Sequence, residues 1–403
     1  MRRINAGQVL GVLRTRGAMS RPEIAGATGL SQPTVNGIVG QLVADRLLRE
    51  LPPGKDTRPI RRGPKATLIA FNAAAGHILG VDIGAAQLVL LVADLSGRIV
   101  ARSHLAIGAR DGLRPDQVLA RLDIAIASTL SAARLTRQNL MAVGVGVPAI
   151  IDPATGRASL VPALPDWDGF ALAPRLQPGF DCPVSVHTDV NLACLAEHRL
   201  GAAREDKDAV YIHLGVGIGM GILRGGEALA GFDGAAGQIG NLPVDGGDGP
   251  PDAGFGQFEW AAGSSAFSRL GRKAALQDGS LILRCAGGDP DAIGPVAVAE
   301  AAALGDLAAR RIMERQVDCL AKGLASVICV LNPATVVLGG EIAGIGPALI
   351  GPLRTRLAAL VPRPPRHVIG SFLGGDAIAL GAVHVALQGA ERRLLPPPAM
   401  QAA

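Results

Sequence analysis

The sequence predicts an α/β protein in which a basic N-terminal domain precedes a larger body made of two similar lobes. The chain has 403 residues, more than one ordinary compact domain contains. Residues 1–65 hold twelve Lys and Arg against four Asp and Glu, a net charge of +8, whereas the remainder has a net charge of −3. In the body, the succession of strand, glycine-rich turn and helix occurs twice. We therefore expect a polyanion-binding module joined to a duplicated α/β fold.

The composition excludes several classes of protein. Apolar residues make up 49% of the chain and charged residues 18%, which permits a large core and argues against global disorder. The apolar stretches are shorter than the run of about 20 residues that a membrane span needs, and the start of the chain lacks the apolar segment of a signal peptide. The five cysteines form no C-x-x-C pair, so we expect reduced thiols in a cytoplasmic protein.

Three helices are predicted in the N-terminal domain. Apolar residues at helical spacing indicate the first over residues 4–15. Ser20 and Glu23 have the capping-box pattern that begins a second helix, and Gly29 suits the left-handed turn that follows it. Ser31 caps the third helix. The apolar face of that helix consists of Val35, Ile38, Val39 and Leu42.

The other face of the third helix carries groups expected of a helix that reads DNA. Gln32, Thr34 and Asn36 lie off the apolar face near its start, where hydrogen-bonding side chains can reach base edges in a major groove. Taken alone, the same pattern is also typical of a solvated helix face. The capping box, the glycine turn and the positive charge together favour the DNA-binding interpretation.

A basic loop between two strands completes the domain. Strands are predicted at 47–51 and 66–71, and the segment between them is rich in Gly, Pro and basic residues. Arg61, Arg62 and Lys65 would contact phosphates or a minor groove from this loop. The combination predicts a winged helix-turn-helix that binds a double-stranded DNA operator.

The body repeats one pattern of strands and glycine turns. It opens with a β-meander over 78–102, whose first turn holds Asp82 before a glycine. A later strand ends at Asp189, where an alanine-rich helix begins. A second glycine hairpin follows at Gly215–Gly221, and a further strand ends in Gly339-Gly340. Glycine turns between strands are common, but this order resembles the two-lobed actin-like ATPase fold of sugar kinases.

This pattern divides the chain into domains. Residues 1–70 are the winged helix-turn-helix, residues 71–190 plus 375–392 a small α/β lobe, residues 191–374 a large α/β lobe, and residues 393–403 a disordered tail. A cleft between the lobes is where such a fold would bind a ligand.

The motifs of the body resemble the ROK family of repressors, open reading frames and kinases. The resemblance extends from about residue 5 to residue 388, and it is closest to the repressor branch that includes the N-acetylglucosamine and xylose repressors. The segments that carry it are Ala163-Leu-Pro-Asp-Trp167-Asp-Gly-Phe with Thr188-Asp189-Val-Asn191, Gly234-Ala-Ala-Gly-Gln238-Ile-Gly-Asn241, and Leu331-Asn-Pro-Ala-Thr-Val-Val-Leu-Gly-Gly340.

The resemblance implies roles for residues of the cleft. Asp189 matches the general base of the kinases, which takes a proton from a sugar hydroxyl, although an Asp at this place could equally cap a helix. Gln238 stands where the kinases have a sugar-contacting Glu, and Asn241 stands where they have a zinc-ligating His. Glu259 matches the last position of the zinc motif, which has lost all its cysteines here, so we expect no metal.

The nucleotide site implied by the resemblance has lost polar groups. The kinases usually carry Asp-x-Gly-Gly-Thr in the first hairpin and Gly-Thr-Gly in the second, and this chain has Ala86 and Val216 in place of the threonines. Phosphoryl transfer depends on positioned donors of this kind, so we expect no kinase activity and no cofactor. The turns alone explain the glycines that remain.

These observations favour a transcriptional regulator, a repressor of carbohydrate-related genes, that acts as a homodimer or tetramer. A small carbohydrate effector would shift an equilibrium between open and closed lobes, which requires differential affinity and no chemistry. The residues expected to bind it are Asp189, Asn191, Gln238, Asn241 and Glu259. Two alternatives stay open: an active sugar kinase with an added DNA-binding domain, and a regulator controlled by a protein partner without a sugar ligand.

Overall fold

The computed structural model describes residues 2–51, 67–85, 87–107, 114–159, 166–244, 255–277 and 280–394. The helices in these ranges are α1 (Arg2–Arg16), α2 (Arg21–Thr28), α3 (Gln32–Ala44), α4 (Pro115–Ala132), α5 (Leu172–Leu176), α6 (Asp189–Leu200), α7 (Gln257–Ala262), α8 (Ser264–Ala275), α9 (Ile282–Cys285), α10 (Pro295–Ala303), α11 (Leu307–Leu331), α12 (Pro347–Leu360) and α13 (Ala377–Leu394). The strands are β1 (Met19–Ser20), β2 (Leu48–Leu51), β3 (Leu68–Phe71), β4 (His77–Ile83), β5 (Gln87–Asp94), β6 (Ile99–Ala106), β7 (Leu140–Val147), β8 (Ile150–Ile151), β9 (Ala158–Ser159), β10 (Val184–Thr188), β11 (Ala209–Leu214), β12 (Ile218–Arg224), β13 (Glu227–Ala228), β14 (Thr335–Gly339) and β15 (His367–Gly370).

The N-terminal domain has the predicted three helices and strand pair. The capping box of α2 is present, since the Ser20 N–H donates to Glu23 Oε2 at 2.7 Å, and Gly29 ends the helix with a φ of 69°. Strands β2 and β3 pair antiparallel. Strand β1, which was not predicted, adds to β3 by pairing Met19 with Ile69. The segment 52–66 between β2 and β3 lies outside the described residues, and with it the predicted wing residues Arg61, Arg62 and Lys65.

Two sheets of the same topology form the body, as the repeated sequence pattern predicts. Among the described residues, the first has the order β10-β7-β4-β5-β6, and the second has the order β13-β12-β11-β14-β15. In each, an antiparallel meander (β4–β6 or β11–β13) joins two strands that run parallel to its first strand. The duplicated sheets confirm the prediction of two α/β lobes.

Helix α13 packs directly on the first sheet because two strand glycines leave room for its backbone. A Cβ atom at Gly80 would lie 2.5 Å from the Ala379 carbonyl oxygen, and one at Gly144 would lie 2.2 Å from the Ala382 carbonyl oxygen. Such close approach requires glycine. The helix continues to Leu394, so the first two residues of the predicted disordered tail are helical; residues 395–403 lie outside the described ranges.

The N-terminal domain and the first sheet share one apolar core. Its buried side chains come from α1 to α3, from β3 to β5 and from α13, and they include Val9, Leu13, Leu91, Ala386 and Ala390. At the edge of this core, Arg14 of α1 forms an ion pair with Glu391 of α13 and lies 5.7 Å from the centre of the Phe71 ring. The N-terminal domain is therefore packed against α13, the C-terminal helix of the body.

Across the described ranges, every helix is too short or too polar to cross a membrane.

Candidate functional site

The start of α3 presents the three polar side chains that the sequence pattern indicated. Gln32, Thr34 and Asn36 are exposed, whereas the predicted apolar face of the helix is buried. Ser31 is the N-cap, and its hydroxyl accepts the Thr34 backbone N–H at 3.4 Å. The Ser31 and Thr34 hydroxyl oxygens lie 2.8 Å apart, so the Thr34 side chain takes part in capping. Gln32 and Asn36 are therefore better placed than Thr34 to bond to a base edge.

Two glycines leave room beside this helix for an approaching molecule. Gly37 and Gly40 are exposed, and a Cβ atom added to either would come within 4 Å of none of the neighbouring residues that the structure describes. Glycine inside a helix destabilises it by about 1 kcal/mol relative to alanine. Packing against the described residues does not require glycine at either position.

The first glycine hairpin of the body holds a buried carboxyl. Asp82 is the penultimate residue of β4, and the Gly84 N–H closes the turn by donating to the Gln87 carbonyl at 2.9 Å. Only 3% of Asp82 is exposed, and its Oδ1 has no hydrogen-bond partner in the described part of the chain. Burial and, to a smaller extent, the charge of Asp189 raise the pKa of Asp82 well above its ordinary value.

Asp189 is the first residue of α6 and lies close enough to Asp82 for their charges to interact. Asp189 as a residue is half-buried. Burial raises the pKa of Asp189 to about 7, and the Val190 N–H, which donates to its Oδ1 at 2.7 Å, opposes this rise. Thr188 occupies the N-cap position without a side-chain capping bond, and Asp189 instead accepts the first-turn N–H of Val190, so its carboxyl also stabilises the start of α6.

Strand β12 joins the second lobe to the start of α6. A Cβ atom at Gly221 would lie 2.2 Å from the Val190 carbonyl oxygen, so the strand contacts the first turn of the helix directly. At the edge of the same strand, the Met220 N–H donates to the Gly237 carbonyl at 2.9 Å. The half-buried Gln238 follows immediately. Strand β12 thus contacts both the residue before Gln238 and the first turn of α6, which carries Asp189 and Asn191.

Glu259 supports the cleft by positioning backbone. Its Oε1 accepts the Gly256 N–H at 2.9 Å, and its Oε2 accepts the Ile218 N–H at 3.1 Å. These bonds join the N-terminus of α7 to the start of β12, beside the second glycine hairpin. Asn241 is exposed at the end of a short 3-10 helix, so of the predicted effector-binding residues it is the least enclosed.

Tyr211 and His213 on β11 are titratable residues near α6 that the sequence interpretation missed. Tyr211 pairs with Gly221 and His213 with Gly219 across β11 and β12, on the strand positions that contact α6. Burial raises the pKa of Tyr211, and the charges of Asp189 and other nearby carboxylates raise it further. Burial lowers the pKa of His213. The sequence offered one signal for Tyr211, which is the single tyrosine of the chain.

The groups present do not fit the zinc ion that the family resemblance implies. The sequence has no cysteine from 245 to 259, and Asn241 replaces the ligating His. Zinc prefers thiolate and imidazole ligands. No cluster of His, Cys, Asp or Glu among the described residues has a metal-binding arrangement either, and residues 245–254 lie outside them.

Comparisons with known proteins agree with this fold and organisation. The chain is 26% identical over 352 residues to the DNA-binding transcriptional dual regulator NagC of Escherichia coli K12, covering 85% of this chain and 81% of NagC. It is 24% identical over 355 residues to the xylose repressor of Caldicellulosiruptor bescii, covering 88% of this chain and 87% of that protein. The crystal structure of a ROK family transcriptional regulator, a homologue of the E. coli MLC protein, matches with a TM-score of 0.73 and 24% identity over 98% of both chains.

The last of these matches shows that the fold, including the N-terminal domain, is shared along nearly the whole chain. The model of the ROK family itself matches residues 78–388, which covers the two main sheets of the body from residue 78, the two glycine hairpins and most of α13. The resemblance drawn from the sequence motifs is therefore confirmed, and this chain belongs to the ROK family.

Proposed function

We propose that this chain is a DNA-binding transcriptional regulator, a repressor of carbohydrate-related genes, whose ROK body senses a small carbohydrate. The observation that carries the proposal is the exposed polar start of α3, the third helix of the N-terminal domain. Support comes from relatives named as a xylose repressor and as a DNA-binding transcriptional dual regulator, each of which aligns over more than four-fifths of the chain. We further propose that the wing residues Arg61, Arg62 and Lys65 contact the DNA backbone and that the protein acts as a homodimer or tetramer.

Selection of bound sequences from a random DNA library tests this proposal. The full-length protein should enrich a pseudo-palindromic site whose halves lie about one helical turn, or a multiple of it, apart. A panel of sugars added during selection should change the amount of DNA retained. Enrichment of no sequence above a random background, at several salt concentrations, would contradict the proposal.

The domain division predicted from the sequence is part of the proposal. Residues 1–70 bind DNA, while the lobes formed by 71–190 plus 375–392 and by 191–374 enclose the effector. The effector contacts Asp189, Asn191 and Gln238, and Glu259 holds the hairpin beside them.

We expect no phosphorylation of sugars by ATP. Both threonines that would donate to phosphate oxygens are absent, and at the tip of the second hairpin the apolar Val216 is 56% exposed instead. Loss of one such donor typically lowers a catalytic rate by about 10²–10³-fold, so the loss of two should remove measurable activity. A coupled assay of ADP release over a hexose panel checks this. ATP turnover that Asp189→Asn abolishes would identify an active kinase.

Helix α13 gives the cleft a physical connection to the DNA-binding domain. A Cβ atom at Gly381 would lie 2.0 Å from the Leu192 carbonyl oxygen, so α13 crosses α6 in backbone contact within one turn of Asp189. At its other end, α13 packs against α1 and carries Glu391, the partner of Arg14. We propose that movement of α6 on effector binding reaches the DNA-binding domain through this helix.

Replacing Glu391 with Gln should weaken the effect of the effector on operator affinity while leaving the fold intact. The ion pair with Arg14 is partly exposed, so it contributes about 1 kcal/mol or less to stability. Operator affinity, measured by fluorescence anisotropy with and without the sugar identified by selection, reports the change. The exchanged pair Arg14→Glu with Glu391→Arg should restore the response.

A matched control is Glu50→Gln, which breaks an ion pair with Arg21 that lies entirely within the DNA-binding domain. This control should leave the response to the sugar unchanged. A full response in Glu391→Gln would show that the connection runs elsewhere.

A further inference from the structure

The cleft contains buried acceptor atoms that lack donors. Asp82 Oδ1 and Asn191 Oδ1 have no hydrogen-bond partner within the described ranges, and both side chains are more than nine-tenths buried. A buried polar atom left unpaired is destabilising. Asn191 lies in the first turn of α6 with Asp189, and Asp82 lies near enough to Asp189 for their charges to interact. A molecule bound at this turn can supply the missing donors.

The same place holds two carboxyl groups without a neighbouring cation, and burial favours their protonated forms. In the described structure, neither Asp82 nor Asp189 forms an ion pair with Lys or Arg, and no basic side chain lowers the pKa of either carboxyl. Other titratable groups on the adjoining strands and on α6 include Tyr211, Glu197, Cys194, His187 and His213, while His198 and Arg199 lie in the last turn of α6, at the opposite end from Asp189. Burial lowers the pKa of His187 and of His213, which disfavours their positively charged forms.

This uncompensated pair makes the folded state sensitive to pH. The unfolded chain releases the Asp189 proton near pH 4, whereas burial delays its release in the folded chain to a pKa of about 7. The folded state therefore loses stability as pH rises between these values, because the unfolded chain releases the Asp189 proton more readily than the folded chain does. A positive charge placed against the two carboxyls would favour their ionised forms and remove this loss.

We propose that the effector is a carbohydrate that carries a protonated amine, with its ammonium group held against Asp189 and with Asp82 behind it. The proposal rests on the proposed function and names the chemical class of the ligand of that same cleft. An ammonium group supplies three donors and one positive charge, and the sugar hydroxyls supply donors to Asn191 and Gln238. A phosphorylated sugar would bring negative charge toward two carboxyls.

A divalent metal ion fits these groups less well than an ammonium. Magnesium and calcium take six or more oxygen ligands in a defined shell. The described residues offer no group of three acidic, histidine or cysteine side chains arranged to hold one. One ammonium group needs only a carboxylate and a few acceptors.

Isothermal titration calorimetry of the full-length protein at pH 7 tests the proposal. The probes are glucose, three glucoses in which an amine replaces the hydroxyl at carbon 2, 3 or 6, their N-acetyl derivatives, and magnesium chloride alone. At least one amine should bind about tenfold or more tightly than glucose and than its own N-acetyl form, as expected for a charge-assisted hydrogen bond. Binding should release protons, seen as different heats in two buffers, because the cation stabilises the ionised carboxyls.

Variants locate the effect at the two carboxyls. Asp189→Asn keeps the shape of the side chain but removes its charge, so the ratio of amine affinity to glucose affinity should fall to near one. Asp82→Asn should lower this ratio as well, and it replaces Asp189→Asn in the test if that variant fails to fold. Asp181→Asn, at an exposed position of the small lobe, removes the same charge elsewhere and should keep the preference.

The outcomes separate this inference from the proposed function. Equal or weaker binding of every amine, binding of magnesium alone at these carboxyls, or a preference that survives both variants would overturn the ligand class. Absence of binding by any sugar would overturn it too. In each of these cases sequence-specific DNA binding would still stand, since it is measured without a sugar.

Discussion

Replacing Gln32 and Asn36 together with alanine is expected to remove most of the discrimination between operator and random DNA. Both side chains are exposed at the start of α3, beside a capped helix end that enters a major groove in this class of domain. A bidentate contact to a base contributes about 1–3 kcal/mol of discrimination, so two such losses should lower the ratio of specific to random affinity by about 10²-fold. Competition binding at fixed salt measures that ratio.

Salt dependence distinguishes base contacts from phosphate contacts in this experiment. The double variant should keep the wild-type slope of affinity against salt concentration, because its phosphate contacts remain. Gln41→Ala is the matched control, since Gln41 lies on the same helix but bonds to Asp45 at 3.1 Å near the other end. A wild-type operator preference in the double variant, or an equal loss in Gln41→Ala, would show that α3 is not the recognition helix as proposed.

Replacing Gly381 with alanine is expected to lower the free energy of unfolding by about 3 kcal/mol, because it overpacks the crossing of two helices. The added Cβ would lie 2.0 Å from the Leu192 carbonyl oxygen and 2.4 Å from its carbonyl carbon. Backbone atoms cannot turn aside as a flexible side chain can, so α13 must move away from α6. Urea unfolding followed by circular dichroism measures the change.

Gly389→Ala on the same helix is a control with the same chemical change. Its Cβ would lie 3.5 Å from the Ala142 Cβ, an ordinary contact, and alanine favours a helix over glycine by about 1 kcal/mol. This variant should therefore be as stable as the wild type or more so. Similar stability of both variants would mean that the crossing of α6 and α13 is looser than the distances indicate.

Local sequence patterns predicted the DNA-binding domain well because its signals depend on neighbouring residues. A capping box needs only Ser20 and Glu23 three positions apart, and a left-handed turn needs only Gly29. The buried face of α3 follows from helical spacing alone. The repeated hairpins likewise predicted two lobes, since each turn is read within a few residues. Strand β1 was missed because two residues carry no periodicity, and only pairing with β3 makes them a strand.

The cleft residues were predicted in part, and their roles changed once contacts were known. Asp189 was identified through the family motif, whereas its distance in space from residues of the second lobe could not be predicted from the sequence. Glu259 was expected to bind the effector, yet both its oxygens accept backbone N–H groups. Tyr211 was overlooked because it is distant in sequence from the carboxyls whose charges act on it.

The sequence by itself determined the type of N-terminal domain, the repeated lobes and the loss of the zinc and phosphate-binding groups, since these depend on residue type and short spacing. Tertiary structure alone decided which carboxyls are left without partners and how the cleft meets the DNA-binding domain. Asp82 and Asp189 are more than 100 positions apart, as are Leu192 and Gly381. Burial, charge interaction and backbone contact between such residues depend on distance in space, which the order of residues along the chain does not specify.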